Sequence, residues 1–218
     1  MTLDSTPSRQ SRSDAPEVVV ARLPQYVRIL ARLLQDGTDV VSSQQLGARL
    51  QVTPAQIRKD LSYFGRFGKQ GRGYSVPHLL DRLKQILGLN STWNVAVVGV
   101  GRLGRAILSY PGFTPDGFRL VAAFDVSPDV VGQEVAGLTV QPIEQLDDEV
   151  RDRQISIAIV AVPTEHTQEV VDRLVECGIR AVLNYAPITP QVKEGIRVRN
   201  IDPVLSLQSM TYYLSEDL

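Results

Sequence analysis

The chain of 218 residues is 43% hydrophobic and 22% charged, a balance typical of globular proteins that excludes collagen, coiled-coil arrays and wholesale disorder. Its length suits one large domain or two small ones. No apolar run approaches the roughly 18 residues of a membrane helix, and no basic stretch precedes an apolar one at the N-terminus. We therefore expect a cytoplasmic protein that makes no contact with membranes.

Cysteine and histidine are scarce in this sequence. The chain has one cysteine, Cys177, and two histidines, His78 and His166. One cysteine excludes an intrachain disulfide, and the three residues have no zinc-ligand spacing, so we expect no metal site.

The net charge of −1 is the sum of two parts of opposite sign. Residues 1–90 contain 13 Lys and Arg against 7 Asp and Glu, whereas residues 91–218 contain 10 against 17. The asymmetry predicts a basic N-terminal module and an acidic C-terminal module.

The basic part begins with a polar segment. Residues 1–16 contain four serines and two prolines and almost no large apolar side chain, so we expect a flexible tail. A first helix is predicted from Glu17, with Gly37 as its C-terminal stop. Its apolar positions at helical spacing are Leu23, Val27, Leu30 and Leu34.

Two further helices are predicted from their capping residues. Ser42 and Gln45 form a capping-box pattern that opens a short second helix. Thr53 before Pro54 is an N-cap pattern for a third helix that ends near Phe64. The short separation of the second and third helices is typical of a helix-turn-helix motif.

The third helix has an apolar and a basic face. Ile57, Leu61 and Phe64 share one face and are predicted to pack inward. The opposite face, suited to phosphates and base edges, holds Ala55, Lys59, Ser62 and Arg66, and Arg58 and Tyr63 flank it. A solvated helix face is the alternative, but the regional charge and the turn spacing favour binding to double-stranded DNA.

A hairpin and a last helix are predicted to complete this module. The glycines within residues 69–74 indicate a tight hairpin with Lys69 and Arg72 at its tip, the form of a wing beside a recognition helix. A helix from about His78 to Leu87 follows. We place the winged-helix domain at residues 17–90.

A dinucleotide motif opens the acidic part. An apolar strand leads into Gly99, Val100, Gly101, Arg102, Leu103 and Gly104, and a helix begins near Leu103. This is G-x-G-x-x-G between a strand and a helix, the context that gives the motif meaning. Asp125 ends the second strand, where an acid accepts hydrogen bonds from adenosine ribose. No Lys or Arg follows to receive a 2′-phosphate, so NADH and NAD+ are the favoured cofactors.

Further strands predict a Rossmann-type parallel sheet within residues 91–202. They span 155–162, 181–184 and 196–201, with a helix at about 165–177 between the first two. Loops that leave such strands at the carboxyl edge meet the ligand. The predicted loop contacts are Val162, Pro163, Thr164, Asn184 and Ala186.

A nicotinamide site raises the alternative of an NAD-dependent dehydrogenase or reductase. His166 is the candidate proton-transfer residue, although a polar residue at a helix start is its ordinary interpretation. Cys177 is interpreted as a buried helix-end residue. No segment is left for a substrate domain, so we assign no catalytic residue and expect a regulator. A regulator that binds a sugar nucleotide or CoA is a third candidate.

Three segments together strongly resemble the Rex family of bacterial redox-sensing transcriptional repressors. They are Arg22-Leu-Pro-Gln-Tyr-Val-Arg28, Gln56-Ile-Arg-Lys-Asp-Leu-Ser-Tyr-Phe-Gly65, and the glycine motif with Tyr110-Pro-Gly-Phe113. The resemblance extends from about residue 17 to the C-terminus. It implies a homodimer that binds a palindromic operator and compares NADH with NAD+. In that family NADH closes the dimer and releases the DNA.

The resemblance also implies roles for particular residues. Arg58, Lys59, Ser62 and Tyr63 become recognition-helix contacts, Arg72 a wing contact, and the glycine motif with Asp125 the cofactor site. A switch is implied in which Arg28 meets Tyr110 and Asp202 of the other subunit.

The C-terminal segment is predicted to be a helix at residues 203–218. It carries Val204, Leu207, Met210, Thr211 and Leu214 along one face. In a lone domain such a helix packs on the sheet, whereas the resemblance implies a dimerisation helix swapped into the partner subunit. Pro203 stands where some relatives have a bulkier apolar residue. The predicted fold class is therefore α/β: a winged-helix domain, a Rossmann-type domain and this C-terminal helix.

Overall fold

The computed structural model describes residues 15–69 and 72–214. Most of the predicted tail, two residues of the predicted wing tip and the last four residues lie outside the described residues. The chain divides between Asn90 and Ser91 into two compact units. None of the helices in the described ranges is long and apolar enough to cross a membrane.

The first unit contains four helices and a small antiparallel sheet. The helices are α1 (Glu17–Gln35), α2 (Ser43–Leu50), α3 (Pro54–Ser62) and α4 (Val76–Leu87). The strands are β1 (Val40–Val41), β2 (Gly68–Lys69) and β3 (Gly73–Ser75), in the order β1-β3-β2. This arrangement confirms the predicted helix-turn-helix and hairpin.

Capping residues determine where these helices start, as the sequence indicated. The Ser42 hydroxyl accepts from the Gln45 N–H at 3.1 Å, and the Gln45 side chain accepts from the Ser42 N–H at 2.8 Å. Thr53 accepts from the Gln56 N–H at 3.1 Å at the start of α3. Each cap satisfies an N–H group that the first helical turn leaves without a partner.

The apolar face of α1 differs in detail from the prediction. Leu23 and Leu30 are buried, but the face continues through Tyr26 and Leu33, and Leu34 is 42% exposed. The core of this unit lies on that side of the helix, so the buried stripe is rotated relative to the predicted one. The phenolic oxygen of Tyr26 has a partner inside the unit, which is why a polar side chain is tolerated there.

The second unit is built on one large sheet. Its strands are β4 (Trp93–Val98), β5 (Phe118–Asp125), β6 (Glu134–Val135), β7 (Leu138–Pro142), β8 (Ile157–Val160), β9 (Ala181–Asn184) and β10 (Arg197–Asn200). Its helices are α5 (Arg102–Leu108), α6 (Leu146–Asp152), α7 (Thr167–Glu176) and α8 (Pro203–Leu214).

The strand order is that of a Rossmann fold. It runs β10-β9-β8-β4-β5-β7-β6, and every pairing is parallel except that of β6 with β7. Alternate residues of β4 contribute to two cores: Ala96 and Val98 pack with the cluster that contains Leu174, whereas Val95 and Val97 pack with the cluster that contains Ile107. Helices therefore cover both faces, which confirms the predicted α/β class.

The helix α8 has no buried residue. Leu207, Met210 and Leu214 are 60–65% exposed, and Tyr212 and Tyr213 are exposed as well. The helix therefore does not pack on the sheet of its own chain. Its exchange between subunits stays a prediction.

Candidate functional sites

The outer face of α3 carries the predicted DNA-contacting side chains. Arg58, Lys59, Ser62 and Tyr63 are all exposed, as are the nearby Ala55 and Arg66. Arg58 donates to the Ser43 hydroxyl at 3.1 Å, and Ser62 donates to the Lys59 carbonyl at 2.7 Å. The arrangement leaves three cationic side chains on one solvent-facing surface.

The hairpin beside α3 has the form of a wing. Gly68 pairs with Tyr74 and Lys69 with Gly73 in antiparallel register, and Arg72 is exposed. Gly73 has φ +72°, and a Cβ there would lie 2.6 Å from the Val41 carbonyl oxygen, so only glycine fits. The tip, residues 70 and 71, lies outside the described residues, and so does the side chain of Lys69.

A buried carboxylate behind the exposed face was not predicted. Asp60 on α3 is fully buried. Arg22 donates to both of its oxygens, each at 2.7 Å, Tyr26 donates at 2.5 Å and Gln56 at 2.6 Å. We call these four residues the Asp60 cluster. The available signal was local: Asp60 stands between Ile57 and Leu61, on the face of α3 that was predicted to pack inward.

The Asp60 cluster keeps its carboxylate ionised. Burial by itself would raise the pKa of Asp60, but the hydrogen bonds from Arg22, Tyr26 and Gln56 outweigh it and the pKa is lowered. The pKa of the Tyr26 hydroxyl is raised by burial and by the neighbouring carboxylate. The cluster is thus an ion pair with a neutral phenol as a further donor.

A cavity of about 560 Å³ opens at the carboxyl ends of β4, β5 and β8. The order of the sheet reverses between β4 and β8, and ligands of open α/β sheets bind at such a switch point. The volume falls in the range of small-molecule sites. Among the predicted cofactor residues, those that line the cavity are Gly99, Gly101, Asp125, Val162 and Pro163.

The lack of a side chain does not have the same structural consequence at all three motif glycines. Gly99 has φ +91°, and a Cβ on Gly104 would lie 1.9 Å from the Gly99 carbonyl oxygen, so both are needed for the backbone itself. A Cβ on Gly101, in contrast, would have no atom within 4 Å. The absence of a side chain at Gly101 thus leaves free space at the mouth of the cavity, next to the start of α5.

Asp125 organises the same edge of the sheet. One carboxylate oxygen accepts from the Val100 N–H at 2.7 Å and the other from the Ser127 N–H at 2.8 Å. These bonds hold the glycine loop against the end of β5. Each oxygen keeps a second lone pair, so the carboxylate can still accept from a ligand hydroxyl.

Seven predicted cofactor residues do not line the cavity: Val100, Arg102, Leu103, Gly104, Thr164, Asn184 and Ala186. Val100 and Gly104 are buried in the loop and helix packing. The Asn184 amide donates to the carbonyls of Ala186 and Ile188 and to the Asn200 side chain, and so shapes the loop after β9. Contacts of these seven residues with a cofactor stay predictions.

One side of the cavity is formed by α7 and the residue before it, which were not among the predicted cofactor contacts. His166, Glu169, Val170 and Arg173 line it. Their spacing (i, i+3, i+4, i+7) is one helical face and could have been recognised once β8 was assigned. Arg173 lies 3.6 Å from Asp147, which places a cation with a partly neutralised charge at this wall.

Cys177 at the end of α7 is a protonated thiol. It donates to Asp147, and burial together with this carboxylate raises its pKa to about 12. A thiol with a raised pKa is a poor nucleophile. The residue lies at the end of the helix as predicted, but it is half-buried rather than buried.

The three predicted switch residues are accessible within this chain. Arg28 is exposed on α1, and Tyr110 is 61% exposed with its ring edge-to-face on Phe113 at 5.4 Å. Asp202 accepts from the Val204 N–H at 2.9 Å at the start of α8. Their pairing between subunits stays a prediction.

Comparisons with known proteins agree over both units. Residues 14–62 match the family described as putative DNA-binding protein N-terminus, and residues 90–188 match the CoA binding domain. The redox-sensing transcriptional repressor Rex of Roseiflexus sp. (strain RS-1) is 55% identical over 205 residues, with 94% of this chain and 93% of the relative covered.

Solved structures extend the similarity to the fold. RSP in complex with beta-NAD+ and operator DNA is 38% identical, with a TM-score of 0.88 and 93% of both chains covered. RSP in complex with beta-NADH is 35% identical, with a TM-score of 0.84 and coverage of 94% of this chain and 96% of that one. On this similarity in sequence and fold, the chain belongs to the Rex family of redox-sensing transcriptional repressors.

Proposed function

We propose that this protein is a transcriptional repressor that binds operator DNA and responds to the ratio of NADH to NAD+. The observation that carries the proposal is the presence, in one chain, of a helix-turn-helix with an exposed cationic face and a dinucleotide-type cavity with an acid at the ribose position. The complexes formed by RSP with NAD+, NADH and operator DNA support it. Such a protein acts in the cytoplasm, where its DNA is.

The winged-helix domain, residues 17–90, is the DNA-binding part. Arg58, Lys59, Ser62 and Tyr63 on the exposed face of α3 read the major groove or its phosphates, with Arg66 beside them. Lys69 and Arg72 of the wing contact the sugar-phosphate backbone of the DNA. Because several Lys and Arg side chains neutralise phosphates, we expect the affinity for DNA to fall strongly as the salt concentration rises.

The Rossmann-type domain, residues 91–202, holds the cofactor. The free space at Gly101 accommodates a pyrophosphate next to the backbone N–H groups of the glycine loop. Asp125 accepts from the adenosine ribose hydroxyls. When bound, NADH and NAD+ differ by a hydride and a positive charge on the nicotinamide, and this difference is what the protein senses.

Two alternative functions, a CoA-binding regulator and a dehydrogenase or reductase, are less well supported. The match to a CoA binding domain makes CoA the second candidate, but CoA carries a 3′-phosphate on its ribose, and the Asp125 carboxylate would repel it. A dehydrogenase or reductase needs a substrate domain, and the other unit is a winged helix. We therefore assign regulation and no catalytic residue.

The repressor acts as a homodimer on a palindromic operator. The exposed apolar face of α8, within residues 203–218, supplies the dimerisation surface and exchanges between subunits. Arg28 pairs with Tyr110 and Asp202 across the subunits when the dimer closes on NADH, and the closed dimer releases DNA. Because NADH and DNA favour different states, each weakens the other by the same factor, about 1–3 kcal/mol in typical systems.

The direct test is fluorescence anisotropy of a labelled operator duplex, titrated with protein at fixed salt in the presence of NADH, NAD+ or CoA. The operator is first selected by the protein from a random duplex pool. We expect NADH to weaken binding about 5- to 150-fold at concentrations at which NAD+ has little effect. Equal effects of NADH and NAD+ would exclude redox sensing, and release by CoA alone would favour the second candidate.

The variant Arg28→Ala tests the switch. Arg28 lies on α1 in the first unit, so cofactor affinity should remain within about twofold of wild type while release of DNA by NADH is lost. Isothermal titration with NADH and the anisotropy assay measure the two quantities separately. Loss of NADH binding in this variant, or normal release, contradicts the assigned role.

A further inference from the structure

The Asp60 cluster joins the recognition helix to α1 through charge rather than through apolar packing alone. Asp60 belongs to α3, as does Gln56, whereas Arg22 and Tyr26 belong to α1. Four hydrogen bonds of 2.5–2.7 Å converge on the two oxygens of one fully buried carboxylate. The Arg22 contact is bidentate, through Nε and one terminal nitrogen.

Stability alone does not explain such a cluster. Asp60 is fully buried and the Arg22 side chain is only 23% exposed, so the pair loses most of its hydration. An ion pair in such surroundings is often no more stabilising than apolar side chains of the same volume. The site is otherwise apolar, since Ile57 and Leu61 on either side of Asp60 are buried. Apolar residues at these positions would fill the same space without any loss of hydration.

The ion pair adds a directional constraint on the orientation of α3 relative to α1. Contacts of Ile57 and Leu61 with the core tolerate rotation of α3 because dispersion and hydrophobic contacts are weakly directional. A bidentate Arg–carboxylate pair fixes both distance and plane. Lys59 precedes Asp60 in the sequence, and Tyr63 follows Asp60 by three residues. Because the helix is rigid, fixing the rotation of Asp60 about the helix axis also fixes the direction in which Lys59 and Tyr63 project.

We propose that the Asp60 cluster positions the recognition helix and thereby determines how well the protein discriminates its operator from other DNA. Arg22, Tyr26 and Asp60 are positioning residues that do not touch DNA themselves. Arg58 and Lys59 neutralise phosphates over a range of helix orientations, whereas contacts with base edges require one orientation. The inference rests on the proposed DNA-binding function and assigns it a determinant of specificity.

The test replaces the cluster by apolar residues of similar size, in the triple variant Arg22→Met, Tyr26→Phe and Asp60→Leu. Gln56 is partly exposed and can turn to solvent. Affinities for the selected operator and for a scrambled duplex are measured at several salt concentrations, together with thermal unfolding and NADH titration. We expect normal unfolding and NADH affinity, an unchanged salt slope because the phosphate contacts persist, and a fall of at least tenfold in the ratio of operator to scrambled affinity.

Two further variants separate positioning from general destabilisation. Tyr26→Phe removes one hydrogen bond without changing the packing, and we expect a smaller fall in the same ratio. Leu83→Val trims a fully buried side chain of α4 outside the cluster and should lower stability without changing the ratio. If the triple variant does not fold, the ratio of operator to scrambled affinity in the single Tyr26→Phe variant tests the positioning role.

The outcomes are distinguishable. If the wild-type protein enriches no sequence from the random pool, the proposed function fails and this inference with it. If the wild type enriches an operator but the folded triple variant, or Tyr26→Phe in its place, retains the full ratio, only the positioning role is overturned. An equal fall in Leu83→Val would likewise overturn it, by showing that any loss of stability has this effect.

Discussion

Substitution of Gly101 by alanine is expected to weaken NADH binding about 5- to 150-fold while leaving the protein as stable as wild type. The backbone at Gly101 has φ −70°, which alanine adopts without strain, and a Cβ there would meet no protein atom within 4 Å. The methyl group would instead occupy the space assigned to the pyrophosphate. An overpacking cost of about 1–3 kcal/mol corresponds to a 5- to 150-fold loss of affinity.

Gly104→Ala is the matched control because it adds the same methyl group three residues away. Its Cβ would lie 1.9 Å from the Gly99 carbonyl oxygen, so the loop or α5 must move. We expect this variant to lose both stability, by about 1–3 kcal/mol, and NADH binding.

Calorimetric titration with NADH and thermal unfolding of both variants make the comparison. The assignment of the pyrophosphate to Gly101 would be refuted by a Gly101→Ala protein that binds NADH with wild-type affinity. Loss of stability in Gly101→Ala would show instead that the space at the mouth of the cavity is needed by the fold. Operator binding without cofactor should persist in Gly101→Ala, because the winged-helix domain is a separate unit.

Elements whose ends are specified by local chemistry could be predicted from the sequence. The capping pairs at Ser42 and Thr53 and the glycine after β4 act over three or four residues, so their effect can be read in the sequence itself. The strand β9 was predicted with its observed bounds because a short apolar run stands between two turn signals. The parallel sheet followed from the alternation of strands and helices.

Elements that depend on distant partners could not be predicted. The hairpin of β6 and β7 turns at Ala136 and Gly137, both with positive φ, and alanine gives no signal for such a turn. The burial of Asp60 depends on Arg22, which lies 38 residues away, and no local pattern specifies that distance. The cavity wall formed by α7 has a helical spacing, but its direction is known only once the sheet is assembled.

Substitution of Leu207 on α8 by aspartate is expected to break the dimer. The helix α8 leaves its apolar side chains exposed to water unless a partner subunit covers them. Leu207 is 62% exposed, with Met210 and Leu214 nearby on the same face. Full burial of side chains of this size contributes about 1.5–3 kcal/mol each, enough to make dimerisation strong. Leu207→Asp would place a charge in that interface and should convert the dimer to a monomer.

The loss of the dimer should appear in DNA binding as a loss of bivalency. Two linked recognition helices on two half-sites gain about 10²- to 10⁴-fold in affinity over one, so Leu207→Asp should bind the full palindrome no better than a single half-site. Sedimentation equilibrium measures the assembly, and anisotropy with full-site and half-site duplexes measures the binding. Gln145→Asp places the same charge at an exposed position outside α8 and should stay dimeric. A Leu207→Asp protein that remains dimeric would place the dimer interface elsewhere, and the exposed face of α8 would then need another partner.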